Sequence, residues 1–281
     1  MKYLNLGCGH HYSNKAEWTN LDFVSGGESV LAHNLLKGIP FQENSFDLVY
    51  HSHVLEHFSK QDGAKFISEC FRVLKPGGIL RIAIPDLERI AKEYLNCVEN
   101  GIENFENSIA NANYQWMLLE MYDQTVRNHS GGNMGEYLYQ ETLINEDFVF
   151  ERIGEEGKAF RENITLSKEK KPQENKLIKP RLGIKSVIKK IKRMLNKYLI
   201  SFVSKISPKA YQIGKFRLGG EIHQWMYDRY SLTLLLKSYG GHKIQIRDAF
   251  TSYVKNWEDF ELDGKNKIVR KPDSLFIEAV K

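Results

Sequence analysis

The 281-residue sequence predicts an α/β fold built on a largely parallel sheet. Three observations carry that reading. Short apolar runs recur through the first 86 residues, and each ends in a polar residue. The first run passes directly into Gly7-Cys8-Gly9. A helical pattern lies between the fourth and fifth runs. Strands alternating with helices in this way argue for a parallel sheet covered on both faces.

The elements follow in order. Lys2 to Leu6 reads as a buried strand that ends in a glycine turn, where a missing Cβ lets the backbone approach a ligand. "WTNLDF" gives a second strand ending in Asp22, a carboxylate placed to accept hydrogen bonds from ribose hydroxyls. "SVLAHNL" and "SFDLVYHS" are the third and fourth. Residues 58–74 then put Phe66, Ile67, Cys70, Phe71 and Leu74 at helical spacing. "LKPGG" turns into the fifth strand, "GILRIAIPDL". Near the C-terminus, "YDRYSLTLLLKSYGG" reads as a helix with Leu232, Leu235, Leu236 and Tyr239 on one face, closed by glycines. "HKIQIRDAF" and "DSLFIEAVK" then alternate as strands.

Composition sets bounds on function. At 42% hydrophobic and 27% charged residues, the chain is that of a globular protein. No stretch approaches the roughly 20 apolar residues of a membrane span. The N-terminus lacks a signal-like apolar region, and Cys8, Cys70 and Cys97 form no C-x-x-C, so a reducing cytoplasmic setting is expected. The net charge of +5 is uneven: residues 168–217 hold 16 Lys and Arg against 2 Asp and Glu. Within that segment, apolar residues from Ile184 to Ile206 recur at helical spacing with lysines opposite. Three readings stay open: a helix at an anionic membrane surface through 181–206, a helix packed on the protein's own acidic body, and, least favoured, a nucleic-acid arm.

"HSHVLEHF" at 51–58 carries three histidines and a glutamate. It is not the zinc motif H-E-x-x-H, because Glu56 stands directly before His57 rather than after the first histidine. His53 and His57 are four apart, a spacing that would share one helical face.

Taken together, "YLNLGCG", "NLD", "FDLVYHSHVLEHF" and "RVLKPGGILRIAIPDL" resemble successive motifs of the class I S-adenosylmethionine-dependent methyltransferases, type 11 branch. The resemblance covers residues 1–86 and resumes near the C-terminus. It implies a Rossmann-like seven-stranded sheet whose last two strands are antiparallel at the edge, with a helical insertion after strand five. The expected division is a cofactor-binding core at 1–86 and 221–281, a helical acceptor lid at 87–167, and a basic linker and amphipathic helix at 168–220. The implied cofactor is S-adenosylmethionine, contacted by Asn5, Gly7, Cys8, Gly9, Asp22, Asn34, Leu35, His51 and Ser52. Asn5 and Asn34 stand where acids are usual in the family, and His10 or His11 replaces a third glycine. Only 15 positions separate Gly7 from Asp22, so the first helix should be short or irregular.

His57 first and His53 second are the candidate bases, with Asp86 as a partner for a His-Asp pair. Some relatives that methylate catechol-like oxygens use a divalent ion, to which Glu56 and His57 could contribute. The sequence alone assembles no clean ligand set, so no metal is expected. Within the insertion, "WMLLEMYDQTVR" reads as an amphipathic helix with Trp116, Leu119 and Val126 inward. "DQTVRNHSGGNMGEYL" and "GEIHQWMYDRYSL" resemble methyltransferases encoded with bacterial surface-polysaccharide enzymes, which implies a small-molecule or glycan acceptor. Tyr122, Asp123, Arg127, His129, His223 and Trp225 are the acceptor candidates. The alternatives are dinucleotide binding at the glycine turn, in which "VLEH" and "LKPGG" have no role, and a non-catalytic relative that anchors a complex through its basic helix.

Overall fold

The computed structural model describes residues 1–25, 29–168 and 207–281. The amphipathic stripe at 181–206 lies outside the described residues. Among the described residues, no helix is long and apolar enough to cross a membrane.

Seven strands form one sheet in the order β3-β2-β1-β4-β5-β9-β6. Strands β1 (Tyr3–Leu6), β2 (Trp18–Asp22), β3 (Val30–Ala32), β4 (Phe46–Ser52) and β5 (Leu74–Pro85) are mutually parallel. β6 (His242–Arg247) and β9 (Ser274–Val280) close the edge, with β9 antiparallel to both β5 and β6. The expected sheet and its antiparallel edge are therefore present. Between β6 and β9 the chain makes a 3₁₀ turn at Trp257–Phe260 and a small hairpin, β7 (Gly264–Lys265) and β8 (Ile268–Val269).

Strand alternation sends successive side chains to opposite faces. Leu4, Leu6, Val49, Leu80 and Ile82 pack against α1 (Lys60–Val73), through Phe66, Ile67 and Cys70, and against Leu232 and Leu236. Those two leucines belong to α6 (Arg229–Ser238), whose start is fixed by a capping box between Asp228 and Ser231. Tyr239, expected on the same face, is exposed, because the helix ends at Ser238 and Tyr239 leaves helical geometry.

No helix forms between β1 and β2; the connection is irregular. Two buried asparagines hold it instead. Asn5 Nδ2 donates to the His11 carbonyl at 3.2 Å, and Asn20 Nδ2 donates to that of Ser13 at 3.1 Å. On the sheet face shared by Tyr3, Leu48 and Tyr50, the β6–β9 connection packs with Val254, Trp257 and Leu262.

One guanidinium locks that cover down. Arg81, fully buried on β5, pairs with Asp263 at 2.7 Å and Glu278 at 3.0 Å. It also donates to the Thr251 and Asp248 carbonyls and lies 4.5 Å over Trp257. Asp263 in turn accepts from Tyr50 Oη at 2.6 Å and Trp257 Nε1 at 3.1 Å.

After β5, helices α2 (Leu87–Glu103), α3 (Ser108–Val126), α4 (Gly132–Leu138) and α5 (Glu146–Lys168) pack around Ile90, Cys97, Trp116, Met117 and Val149. α5 is broken at Gly154, whose φ of 62° no helix interior adopts. The inward face of α3 differs from the expected one. Trp116, Met117, Glu120 and Asp123 are buried, Leu119 is half-buried and Val126 is exposed. The reason is electrostatic. Arg152 of α5 pairs with Glu120, and Trp116 Nε1 donates to the same carboxylate, so the buried acid is fully compensated.

Replacing Arg81 with methionine removes the cation from between Asp263 and Glu278. The expected loss is about 3–5 kcal/mol of unfolding free energy in denaturant melts, the range for breaking a buried pair on one side. A loss within ~0.5 kcal/mol, the range of a neutral surface change, would show that the network does not hold the fold.

Candidate active site

The C-terminal ends of β1, β2 and β4 open into a cavity of about 960 Å³. Gly7 and Asp22 form part of its floor, with Phe23, His33, Asn34 and Leu35 on one flank. His53 and His57 lie on another side, and the segment from Arg217 to Gln224 overhangs.

The glycine turn is required by its backbone. Gly7 has φ 64° and Gly9 has φ 53°, both in the left-handed region. A Cβ on Gly7 would stand 2.4 Å from Val54 Cγ2. Asp22 braces the turn, accepting from the Gly9 amide at 2.8 Å through Oδ2 and from the Val24 amide at 3.3 Å through Oδ1. Asn34 caps a 3₁₀ turn at Leu35–Lys37, its Oδ1 accepting from the Leu36 amide at 2.9 Å. Phe23 and Leu36 are largely exposed at the cavity rim.

A second cavity of about 280 Å³ adjoins the first, and Gly7 and His53 line both. Asn5, Cys8, Gly9 and Ser52 face it, opposite Arg270 and Lys271. Asn5 is buried and leaves Oδ1 without a partner. Ser52 Oγ accepts from Arg270 Nη2 at 3.1 Å. Burial and the nearby Asp22 push the Cys8 thiol up to about 11, which leaves it unreactive near neutrality.

The histidine-rich turn is fastened from a distance. His53 takes φ 53° and donates its amide to the Ala83 carbonyl. Its Nε2 is 2.8 Å from Ser274 Oγ. The next residues form a 3₁₀ turn at Leu55–His57. The overhanging segment then bonds to this turn: the amides of Gln224 and Trp225 donate to the Glu56 carbonyl, and Gln224 Nε2 donates to the His57 carbonyl. His57 Nδ1 is 3.1 Å from the Ile222 carbonyl. A carbonyl only accepts, so Nδ1 carries the proton and Nε2 keeps its lone pair. The His57 and His223 rings meet edge to face, with centroids 4.9 Å apart. Burial lowers the basicity of His53, His57 and His223, and pushes Glu56 up to about 8. Glu56 is 1% exposed, and neither carboxylate oxygen has a hydrogen-bond partner.

Other sequence-derived candidates lie elsewhere. His51 is fully buried on the α1 face of the sheet, edge-on to Phe66, because alternation turns it away from Ser52. Burial drives it down to about 3, and it lines neither cavity. Asp86 is the N-cap of α2; its Oδ1 accepts from the Glu88 and Arg89 amides, so it forms no His-Asp pair. Asp123 is buried under the α3–α4 turn and accepts from the Asn133 amide. Tyr122, His129 and Trp225 are exposed outside both cavities, and Lys60 sits over the Trp225 ring. Arg127 pairs with Glu221 and braces the overhang without lining either cavity. Of the acceptor candidates, His223 alone faces the large cavity. Sequence reasoning missed Phe23, His33, Leu36, Arg217, Arg270 and Lys271. Phe23 and His33 flank the recognised Asp22 and Asn34, a usable signal, whereas Arg217, Arg270 and Lys271 reach the site only through tertiary folding.

Comparison with known proteins adds the remaining evidence. Residues 4–82 match a family model described as a methyltransferase domain. A probable S-adenosylmethionine-dependent methyltransferase of Mycolicibacterium smegmatis is 41% identical over 56 residues, covering 20% of this chain and 21% of that protein. The phosphoethanolamine N-methyltransferase of Plasmodium falciparum is 26% identical over 151 residues, covering 51% of this chain and 53% of that protein. The chain thus matches about half or less of the length of these curated relatives. A solved S-adenosylmethionine-dependent methyltransferase from Archaeoglobus fulgidus aligns over 100% of this chain and 86% of its own, at 12% identity and a TM-score of 0.36, a likeness too slight to argue from. The family match falls on the strands that build the glycine turn and the Asp22 tip, so residues 4–82 are similar in sequence to a methyltransferase domain.

Proposed function

We propose that the whole chain is an S-adenosylmethionine-dependent methyltransferase acting on a small-molecule or sugar acceptor. The observation that carries this reading is the Gly7–Gly9 turn braced by Asp22 on the floor of one large cavity that histidines also line. The residues present fit the cofactor. Gly7 keeps a close backbone approach that a side chain would block. Asp22 would accept from the ribose hydroxyls, and Asn34 and Leu35 would border the adenine, with Phe23 and Leu36 as its apolar rim. The orphaned, buried Oδ1 of Asn5 is an acceptor suited to an ammonium group.

When bound, S-adenosylmethionine supplies a methyl group already activated on a positively charged sulfur. What remains for the chain is to hold an acceptor in line and keep water out. Of His53, His57 and His223, kept neutral by burial on this wall, His57 has its Nε2 lone pair free to meet an acceptor. The 87–167 helices would serve as the acceptor-side lid. One relative acts, by its name, on phosphoethanolamine, which supports a small acceptor. A lipid-linked glycan precursor, met at an anionic membrane through 181–206, is the finer form of this reading and rests on the sequence pattern of that stretch.

Equilibrium dialysis with labelled S-adenosylmethionine tests the reading. Saturable binding is expected, and Asp22→Ala should weaken it by about 10–100-fold, the worth of hydrogen bonds to a charged group. Absence of saturable binding up to millimolar cofactor would remove the enzyme reading in favour of a non-catalytic relative.

Gly7→Ala should weaken binding by at least about tenfold, because the new methyl group displaces Val54 and strains a left-handed backbone. Adding Val54→Ala should restore part of that loss. If Gly7→Ala binds as well as wild type, the cofactor does not lie against this turn.

A further inference from the structure

His53, His57 and His223 line one wall of the large cavity, with the buried Glu56 beside them. His53, Glu56 and His57 come from the turn after β4, and His223 comes from the overhanging segment. One ligand atom from each of Glu56, His57 and His223 can be chosen so that all lie within 4.8 Å of one another. In a tetrahedral zinc site with bonds of ~2.1 Å, neighbouring ligands stand roughly 3.4 Å apart. Small side-chain rotations would close the difference.

Glu56 is the observation that asks for a cation. Its backbone carbonyl is saturated, since two amides of the overhang donate to it. Its carboxylate is 1% exposed and has no hydrogen-bond partner. His53 Nδ1 stands 3.2 Å from Oε1, yet out of line for a hydrogen bond. A buried acid without a hydrogen-bond partner costs several kcal/mol to ionise, and a bound cation would offset that cost.

Two of the three imidazoles, His57 and His53, are oriented as metal ligands usually are, tied on the other side by an outer contact. The Ile222 carbonyl takes the Nδ1 proton of His57 and leaves Nε2 bare toward the cavity side. Ser274 Oγ holds His53 at Nε2 and leaves Nδ1 toward Glu56. Three imidazoles and one carboxylate make a donor set suited to zinc, iron, cobalt or nickel rather than to magnesium or calcium.

We infer that Glu56, His57 and His223, with His53 completing the set, bind one divalent transition-metal ion whose open position faces the cavity and takes an oxygen of the acceptor. The acceptor class is then a hydroxylated molecule that can ligate through oxygen. That last role rests on the methyltransferase reading; the metal site does not.

The test uses the full chain stripped with a chelator. Co²⁺ is titrated while its visible absorption is followed, and Zn²⁺ is titrated by calorimetry. The expected result is saturation at one equivalent, weakened at least about 100-fold in both Glu56→Gln and His223→Ala. Both variants should keep their binding of S-adenosylhomocysteine, which also reports that they are folded. If Glu56→Gln does not fold, His57→Ala takes its place. A folded wild-type chain that takes up neither ion saturably would overturn the inference, as would uptake that these variants leave unchanged. Metal uptake without S-adenosylhomocysteine binding would keep the metal site and remove the methyltransferase reading.

Discussion

The buried Arg81 guanidinium is the constraint on which the outer half of the molecule depends. From the middle of β5 it reaches Glu278 on β9, Asp263 in the β6–β9 connection and two backbone carbonyls of that connection. Asp263 passes the constraint to Tyr50 on β4, two residues before Ser52 and three before His53. A charge is tolerated there because four of the five N–H donors are met and Trp257 covers its face. The same connection covers the sheet on the side where no helix forms after β1. A polar network thus holds an apolar lid in place, and that lid fixes the strand carrying the histidine turn.

The site is assembled by a second long-range fastening. The segment at 222–225 bonds to the backbone of Glu56 and His57, joining residues about 165 positions apart in sequence. This encloses the cavity and brings His223 against His57. It also buries the Glu56 side chain beside His53, with no hydrogen bond to either carboxyl oxygen. The glycine-turn side of the cavity uses different physics: left-handed glycines and one carboxylate at a strand tip, with no helix N-terminus behind them.

Local features were legible in the sequence. The strand tips, the glycine turn, Asp22 and the α1 core at Phe66, Ile67 and Cys70 follow from alternation and helical spacing. The absent first helix was signalled by the short interval from Gly7 to Asp22. Other errors have physical causes. His51 was assigned to the cofactor because it sits at a strand tip, but its parity with Val49 turns it into the core. Asp86 looked free beside the histidines, yet a helix beginning at Leu87 needs a cap. Helical spacing misplaces the α3 face because Glu120 is paired with Arg152, an interaction that no hydrophobic pattern records. The histidine cluster appeared incomplete because its remaining member, His223, is supplied by another part of the chain.

The most direct test is a crystal structure of the full chain grown with S-adenosylhomocysteine and Zn²⁺, with anomalous data collected at the zinc edge. The account predicts ribose hydroxyls on Asp22 and one strong anomalous peak within bonding distance of Glu56, His57 and His223, facing the same cavity. Cofactor density away from the Gly7–Asp22 turn, or no peak at Glu56, would contradict it.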